Sequence, residues 1–277
     1  MTDAASSIDS TSPVASLSTR DSIAPLEAVL PIDLVSPVDW ERYAQCYDLL
    51  CEINPAYWEL EREFEKFMLG SGLPRECSIL DLGGGTGNFF VSALPVEYHH
   101  ARLVHLDSNP KMTQIAAAKY KLHHLDVQII TADATTTELD QQSLDCVLCV
   151  NALYAMSHPT HVIEKMLHWL KPGGLLYLVN LGRVQRTLEW TLYITLSNLL
   201  PIGRRIGLRR MISFLRNEGR IIQEANRSIT SAQQHGRYWH HTTTELGQYL
   251  RAAGFRVEQL RACYRGYSDL AICRRPD

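Results

Sequence analysis

The stretch "SILDLGGGTGNFF", Ser78 to Phe90, holds the pattern that decides the fold. A short apolar run leads into three consecutive glycines, and a fourth glycine follows after one intervening residue. A glycine turn between a strand and a helix lets a cofactor touch the backbone, because a Cβ atom would obstruct it and a positive φ is often required. The stretch therefore predicts a cofactor-binding loop at the end of the first strand of an α/β sheet.

The spacing of the glycines separates two classes of cofactor. A dinucleotide site uses G-x-G-x-x-G, whereas residues 83–87 follow G-x-G-x-G and Asn88 stands where the third glycine would be. Asp81, just before the loop, would repel a pyrophosphate but attract the ammonium group of S-adenosylmethionine (SAM). The residues therefore favour SAM, and a nicotinamide-dependent oxidoreductase is the weaker alternative.

The segments around the loop alternate between helix and strand. From Val38 the helical spacing predicts two helices interrupted near Asn54-Pro55. Beyond the loop, apolar runs separated by helical segments predict a parallel sheet covered on both faces. These runs are "ARLVHLD", "DVQIITAD", "LDCVLCVNAL" and "GGLLYLVNL". At the end, "TTTELGQYLRAAG" predicts a helix with a capping box from Thr242 to Glu245, and "GFRVEQLRACY" and "SDLAICRR" predict a closing hairpin.

Composition narrows the class of protein. The chain has 277 residues, a formal net charge of −3 and seven cysteines. This charge offers no general attraction to nucleic acid, and the odd, scattered cysteines indicate a reducing compartment rather than a disulfide framework. Cys146 and Cys149 imitate a metal motif, but on a strand their spacing directs them to opposite faces. We expect a cytoplasmic protein without a transmembrane segment, a metal site or a nucleic-acid partner.

Five segments of this chain occur in an order that resembles one known family. They are "DLGGGTGN", "LVHLDSNPKM", "ITADAT", "VNALYAMSHP" and "LHWLKPGGLLYLV". Together they resemble the class I SAM-dependent methyltransferases that modify small molecules, and the resemblance covers roughly residues 40–274. It implies a Rossmann-like α/β fold with a seven-stranded, mostly parallel sheet and helices on both faces.

The resemblance also implies which residues bind SAM. The glycine loop holds the methionine part, Asp107 accepts hydrogen bonds from the ribose hydroxyls, and Asp133 reaches the adenine amino group. Tyr43 and Tyr47 match a segment that closes over the cofactor. The full predicted cofactor set is Tyr43, Tyr47, Asp81, Gly83, Gly84, Gly85, Gly87, Asp107, Ser108, Met112, Asp133, Ala134 and Asn151.

The sequence defines the catalytic residues less closely than the cofactor-binding residues. Many relatives have His-His after the leucine of the fourth segment, whereas this chain has Leu153-Tyr154-Ala155. We take Tyr154, His158 and His241 as candidates, with His241 as the first choice for a general base because it immediately precedes the Thr242 cap. For both histidines a purely structural position in a capping loop is the alternative.

An insertion of about residues 183–238 separates the fifth strand from the last helix. From Arg183 to Arg220 it holds eight arginines against two glutamates, a local charge of +6, and Arg204, Arg205, Arg209 and Arg210 lie next to apolar stretches. A helical cap over the substrate is one interpretation. The others are a solvated face, a homodimer surface and a basic face resting on a membrane.

The sequence therefore predicts a disordered tail over residues 1–37 and a methyltransferase domain over residues 38–277. The predicted reaction is SAM-dependent methylation of an apolar or amphipathic small molecule, lipophilic or anionic, with O-, N- and C-methylation left open. The alternative is a SAM-binding member of the fold with a regulatory or non-methylating role.

Overall fold

The computed structural model describes residues 38–199 and 216–277. These residues form seven strands and eight α-helices. The strands are β1 (Ser78–Leu82), β2 (Arg102–Asp107), β3 (Val127–Thr131), β4 (Leu144–Val150), β5 (Leu170–Leu181), β6 (Arg256–Cys263) and β7 (Ser268–Arg274). The helices are α1 (Trp40–Ile53), α2 (Pro55–Gly70), α3 (Asn88–Ser92), α4 (Pro110–Leu122), α5 (Pro159–Trp169), α6 (Thr187–Leu199), α7 (Gly219–Gln234) and α8 (Thr243–Ala252). The predicted tail and the arginines at 204–210 lie outside the described residues.

The strands form one sheet in the order β3-β2-β1-β4-β5-β7-β6. Strands β1 to β5 run parallel, and β7 pairs antiparallel with both β5 and β6. The predicted fold class is confirmed, including the closing hairpin. The strand order reverses between β1 and β4, and in open α/β sheets ligands bind outside the carboxyl ends of the strands at such a point.

Apolar clusters cover the two faces of the sheet. Helices α2, α3 and α4 contribute Phe64, Phe90 and Ala116 to one cluster, and α5 and α8 contribute Met166 and Leu246 to the other. Cys146 belongs to the first cluster and Cys149 to the second, as their strand spacing predicts. All seven cysteines are free and buried. Among the described residues no group of three His, Cys, Asp or Glu side chains could hold a metal ion.

Helices α1 and α2 meet at Asn54, where the sequence predicts the interruption. The Asn54 side chain caps α2 by accepting from the Ala56 N–H at 3.1 Å, and its Nδ2 donates to the Tyr264 hydroxyl at 2.7 Å. At the other end of the chain, Thr242 and Glu245 form the predicted capping box of α8. Within the described residues, no helix is both long and apolar enough to cross a membrane.

Candidate functional site

A cavity of about 600 Å³ lies where the sheet order reverses. Its floor consists of residues that follow β1, β2, β3 and β4, and its remaining walls come from α1, α6, α7 and the 3₁₀ turn Tyr264–Gly266. The loops at the strand ends and the helices of the insertion thus enclose one common space.

The glycine loop forms part of the floor of the cavity. Its backbone is left-handed at three of the four glycines. Gly83, Gly85 and Gly87 have φ of +68°, +55° and +78°, which side chains rarely adopt. Gly83 and Gly85 line the cavity, and a Cβ at Gly83 would overlap the side chain of Ala152. Gly84 and Gly87 instead face the protein interior, where a Cβ would lie 2.5 Å from His105 Nδ1 and 2.5 Å from Tyr120 Oη respectively.

Asp107, the last residue of β2, joins the glycine loop to the second strand. Its Oδ2 accepts from the Gly85 N–H at 2.9 Å and its Oδ1 from the Asn109 N–H at 2.8 Å. Burial raises the pKa of this carboxyl, and the two backbone hydrogen bonds oppose the rise. Each carboxylate oxygen can accept a second hydrogen bond, so Asp107 retains capacity for a ribose diol.

The remaining predicted cofactor residues that line the cavity lie around Asp107. They are Ser108, Met112, Asp133, Ala134, Asn151, Tyr43 and Tyr47. Asp133 is exposed, and its Oδ1 accepts from the Thr135 N–H at 2.8 Å, which orients the carboxylate at the end of β3. Asn151 has a φ of +48°, and its Oδ1 accepts from the Ser268 hydroxyl at 2.9 Å.

Helix α1 is attached to the glycine loop through Asp48. Thr86 Oγ1 donates to Asp48 Oδ1 at 2.5 Å, and Lys119 Nζ lies 3.0 Å from the same oxygen while also contacting Asn88. This contact holds Tyr43 and Tyr47 above the loop. Sequence reasoning missed Asp48 and Lys119, although Asp48 directly follows Tyr47 in the segment that resembles the family.

Asp81 lies beneath the loop rather than in the cavity wall. Its side chain is buried, and its Oδ2 has no hydrogen-bond partner among the described residues. Burial, followed by repulsion from Asp107, raises the pKa of Asp81 to about 8. Its register partner is His105, whose pKa is lowered to about 4 by burial and by Lys119. The carboxyl is therefore mainly neutral at pH 7, and the sequence argument from its negative charge does not describe the cavity wall.

The three predicted catalytic residues lie in three different environments. Tyr154 lines the cavity and packs edge-to-face on Tyr238, with ring centroids 5.5 Å apart. His158 is exposed at the start of α5 and does not line the cavity. His241 is buried in the protein and also does not line it. Among the described lining residues there is no histidine, so the placement offers no support for either histidine as a base.

A second part of the cavity lining, here called the acceptor half, combines the predicted catalytic candidate Tyr154 with residues to which the sequence analysis gave no role. It consists of Tyr154, Trp190, Ile194, Asn226, Ile229, Tyr238 and Tyr264. Trp190 of α6 packs on Tyr264 with ring centroids 4.8 Å apart. No local pattern marks these residues, because they come from separate segments. The exposed Arg237 also lines the cavity.

The comparison with protein families agrees with this geometry. A family model described as a methyltransferase domain matches residues 79–174, from β1 to the start of β5. That range contains the glycine loop, Asp107, Asp133 and Tyr154. Over residues 79–174 the chain is a class I SAM-dependent methyltransferase domain. The predicted family and the predicted cofactor are confirmed.

Relatives of this methyltransferase are distant. The ubiquinone/menaquinone biosynthesis C-methyltransferase UbiE of Pseudomonas paraeruginosa is 27% identical over 163 residues, which are 57% of this chain and 63% of that protein. The chain thus spans less than two thirds of that curated relative.

Two solved structures share the fold. The N-methyltransferase NodS of Bradyrhizobium japonicum, determined with S-adenosylhomocysteine (SAH), aligns with a TM-score of 0.56 at 17% identity, over 86% of this chain and 97% of that one. The [4+2]-cyclase SpnF aligns with a TM-score of 0.55 at 15% identity, over 90% and 98%. At these identities the likeness shows the fold alone.

The residues present fit SAM. The glycine loop provides a backbone surface without Cβ atoms, Asp107 provides hydrogen-bond acceptors, and Met112 and Ala134 provide an apolar surface for an adenine ring. We call this group, together with Gly83, Gly85, Ser108 and Asp133, the cofactor half of the cavity.

Proposed function

We propose that the protein transfers the methyl group of SAM to an apolar or amphipathic small molecule that carries an aromatic or conjugated ring. The observation that carries this proposal is the continuity of one cavity, which is lined both by the glycine loop and Asp107 and by Trp190 and Tyr238. Methyl transfer requires the acceptor atom to lie in line with the S–CH3 bond at near-contact distance. A single space lined by both halves supports that arrangement.

The acceptor half suits a ring compound because its walls are mostly aromatic and aliphatic. Tyr154, Trp190, Tyr238 and Tyr264 present ring faces and edges, and Ile194 and Ile229 complete the apolar surface. Pockets for small molecules combine such walls with a few polar groups that fix orientation. Here Asn226 and the tyrosine hydroxyls supply them. These apolar walls are poorly suited to a nucleic-acid backbone, which basic grooves track.

The lining tyrosines act as neutral donors rather than as bases. Burial raises the pKa of Tyr154, Tyr238 and Tyr264, so these phenols stay protonated at neutral pH. SAM, when bound, supplies an activated methyl group on a sulfonium. The contribution of this chain is then to bind the acceptor, orient its nucleophilic atom and exclude water.

The aromatic side chains of the acceptor half also support a carbon atom of the substrate as the methyl acceptor. Methylation of a ring carbon places positive charge on the ring, and aromatic faces stabilise a nearby cation. The UbiE relatives are named as C-methyltransferases, which supports the same atom type. None of the seven residues of the acceptor half is a histidine or a carboxylate, so the proton that leaves the methylated carbon would be taken up by a group outside that half.

The competing function is SAM binding without methyl transfer. One structure of the same fold, SpnF, is described as a cyclase, and a fold does not determine a reaction. Incubation of the purified protein with SAM labelled in its methyl group and a metabolite extract, followed by mass spectrometry, separates the two. We expect a labelled ring compound together with SAH. Tight SAM binding with no labelled product and no SAH would contradict methyl transfer.

Location and assembly stay predictions. A cytoplasmic location, contact with a membrane surface and a homodimer are each compatible with the described residues. Arg204, Arg205, Arg209 and Arg210, in the insertion that the sequence predicts as a cap over the substrate, lie outside the described ranges.

A further inference from the structure

Three buried polar side chains lie beneath the point where the insertion leaves and rejoins the sheet. Asn180, His241 and Asp269 have relative exposures of 0%, 3% and 0%. None of them lines the cavity. Burying polar groups is costly unless each finds a hydrogen-bond partner, so their contacts identify what they do.

Asn180 links His241 to the wall of the cavity. Its Oδ1 accepts from the Tyr154 N–H at 2.9 Å, and its Nδ2 lies 2.8 Å from His241 Nε2. A backbone N–H can only donate, so the amide atom facing Tyr154 must be the oxygen. The amide nitrogen then faces His241 and must donate, which makes His241 Nε2 an acceptor.

The tautomer of His241 follows from this contact. The ring is neutral with its proton on Nδ1, which lies 3.1 Å from the Thr242 carbonyl oxygen and 3.5 Å from Asp269 Oδ2. The Tyr154 carbonyl oxygen also accepts a hydrogen bond, from the Trp239 N–H at 2.9 Å. Both backbone groups of Tyr154 therefore depend on residues at the base of the insertion.

Protonation of His241 is incompatible with this arrangement. An N–H at Nε2 would point at the Asn180 amide nitrogen, and two donors would face each other. Rotation of the amide would relieve that contact, but it would place the nitrogen against the Tyr154 N–H instead. The hydrogen bond to Tyr154 therefore requires a neutral His241.

The charged and polar groups around His241 shift its pKa in opposite directions. Burial lowers the pKa of His241, and Arg183 acts in the same direction. The Thr242 carbonyl, Asp269 and Glu245 oppose the shift. Arg183 also binds Asp269 at 2.9 Å, which shares the negative charge of that carboxylate.

We propose that Asn180 and His241 are positioning residues that hold the Tyr154 turn in the acceptor half, and that protonation of His241 releases this turn. The proposal uses the proposed function only to say which half of the cavity Tyr154 borders. Neither residue touches a reacting atom. This coupling from His241 through Asn180 to Tyr154 makes the shape of the acceptor half sensitive to mildly acidic pH.

Fluorine NMR of the full chain with 3-fluorotyrosine tests this coupling without an acceptor. The Tyr154 signal is assigned by its loss in Tyr154→Phe. Between about pH 5 and about pH 8 we expect it to titrate in the wild type with one midpoint below the usual histidine value of about 6.5. In His241→Gln, which cannot be protonated in this range, the signal should not titrate. The Tyr177 signal, from a buried ring that packs on Phe64 on the opposite face of the sheet from Trp239, is the internal control.

Two further variants sharpen the result. His158→Gln, at an exposed histidine, should leave the titration unchanged. Asn180→Asp should abolish the Tyr154 titration, because one carboxylate oxygen can accept from the Tyr154 N–H while the other accepts from a protonated Nε2, and it provides the test if His241→Gln fails to fold. A Tyr154 signal that does not titrate in the wild type, or that titrates equally in His241→Gln, overturns the proposal. Failure of methyl transfer would leave this titration untouched, since neither SAM nor an acceptor is needed.

Discussion

The cofactor half and the acceptor half of the cavity are built in opposite ways. The cofactor half comes from one stretch of chain, residues 83–134, in which each binding group lies at the end of a strand or within five residues after it. The acceptor half is assembled from α6, α7 and turns near residues 154, 238 and 264. A cofactor shared by a family is recognised through backbone positions and short side chains. The acceptor is recognised through large side chains that meet only in the folded chain.

The two halves also differ in their physical chemistry. Hydrogen bonds to defined atoms dominate around Asp107, whereas apolar area dominates around Trp190 and Tyr238. We therefore expect a substitution in one half to change binding mainly in that half.

The largest effect is expected from Gly83→Val, which tests the backbone basis of the cofactor half. Gly83 has a φ of +68° and its missing Cβ would overlap Ala152, so a β-branched residue strains the loop and displaces it. We expect SAH affinity in calorimetry to fall by about 100-fold or more. Gly70→Ala is the control, since no atom lies within 4 Å of its missing Cβ. Normal SAH binding by Gly83→Val would contradict the loop assignment.

Asp107→Ala should weaken SAH binding by about 1 to 3 kcal/mol, the range for losing hydrogen bonds to a charged group. The variant also removes the acceptor of the Gly85 N–H, so part of the loss reflects the loop itself. Asp140→Ala, at an exposed position outside the cavity, is the matched control. If the two variants bind SAH equally well in calorimetry, Asp107 does not hold the ribose.

Tyr238→Leu tests the acceptor half alone. Loss of its edge-to-face contact with Tyr154 removes about 0.5 to 1.5 kcal/mol, which predicts an acceptor KM higher by roughly twofold to twelvefold. SAH affinity should stay within about twofold. Tyr249→Leu, at a half-buried tyrosine outside the cavity, should change neither value. A matching loss of SAH affinity in Tyr238→Leu would show that the two halves are not separate.

A separate effect concerns stability rather than binding and comes from the neutral carboxyl beneath the loop. The folded pKa of Asp81 is about 8, well above the unfolded value of about 3.9. Between these values the folded state keeps a proton that the unfolded state releases, so this carboxyl makes stability fall as pH rises. Asp81→Asn should remove that dependence. Its Tm relative to the wild type should therefore increase from pH 4 to pH 8 in thermal unfolding, by about 2 to 4 °C for each kcal/mol recovered.

Asp140→Asn is the control for this measurement, because the Asp140 side chain is exposed to solvent. A constant Tm difference across that pH range would mean that Asp81 is ionised in the folded protein. Its negative charge would then act on the cofactor half after all.

Local sequence signals predicted the strands, the helix break at Asn54, the capping box of α8 and the glycine loop. Each of these depends on a few neighbouring residues: a strand on a short run of apolar side chains, a cap on a hydroxyl three residues from a glutamate, a tight turn on glycine. The positions of Asp107 and Asp133 at the cavity also follow, because parallel strands end at the same edge of the sheet.

Orientation and burial were decided by the tertiary structure. Whether Asp81 faces the cofactor or the interior depends on His105 in the neighbouring strand. Whether His241 acts as a base or lies buried depends on Asn180 and Asp269, which are 61 and 28 positions away along the chain. The acceptor half requires Trp190 and Tyr264 to meet across more than seventy residues. Sequence alone determined the family, the fold and the cofactor, because these depend on local backbone geometry. The shape and charge of the acceptor site depend on packing between distant segments, and only the folded chain brings those segments together.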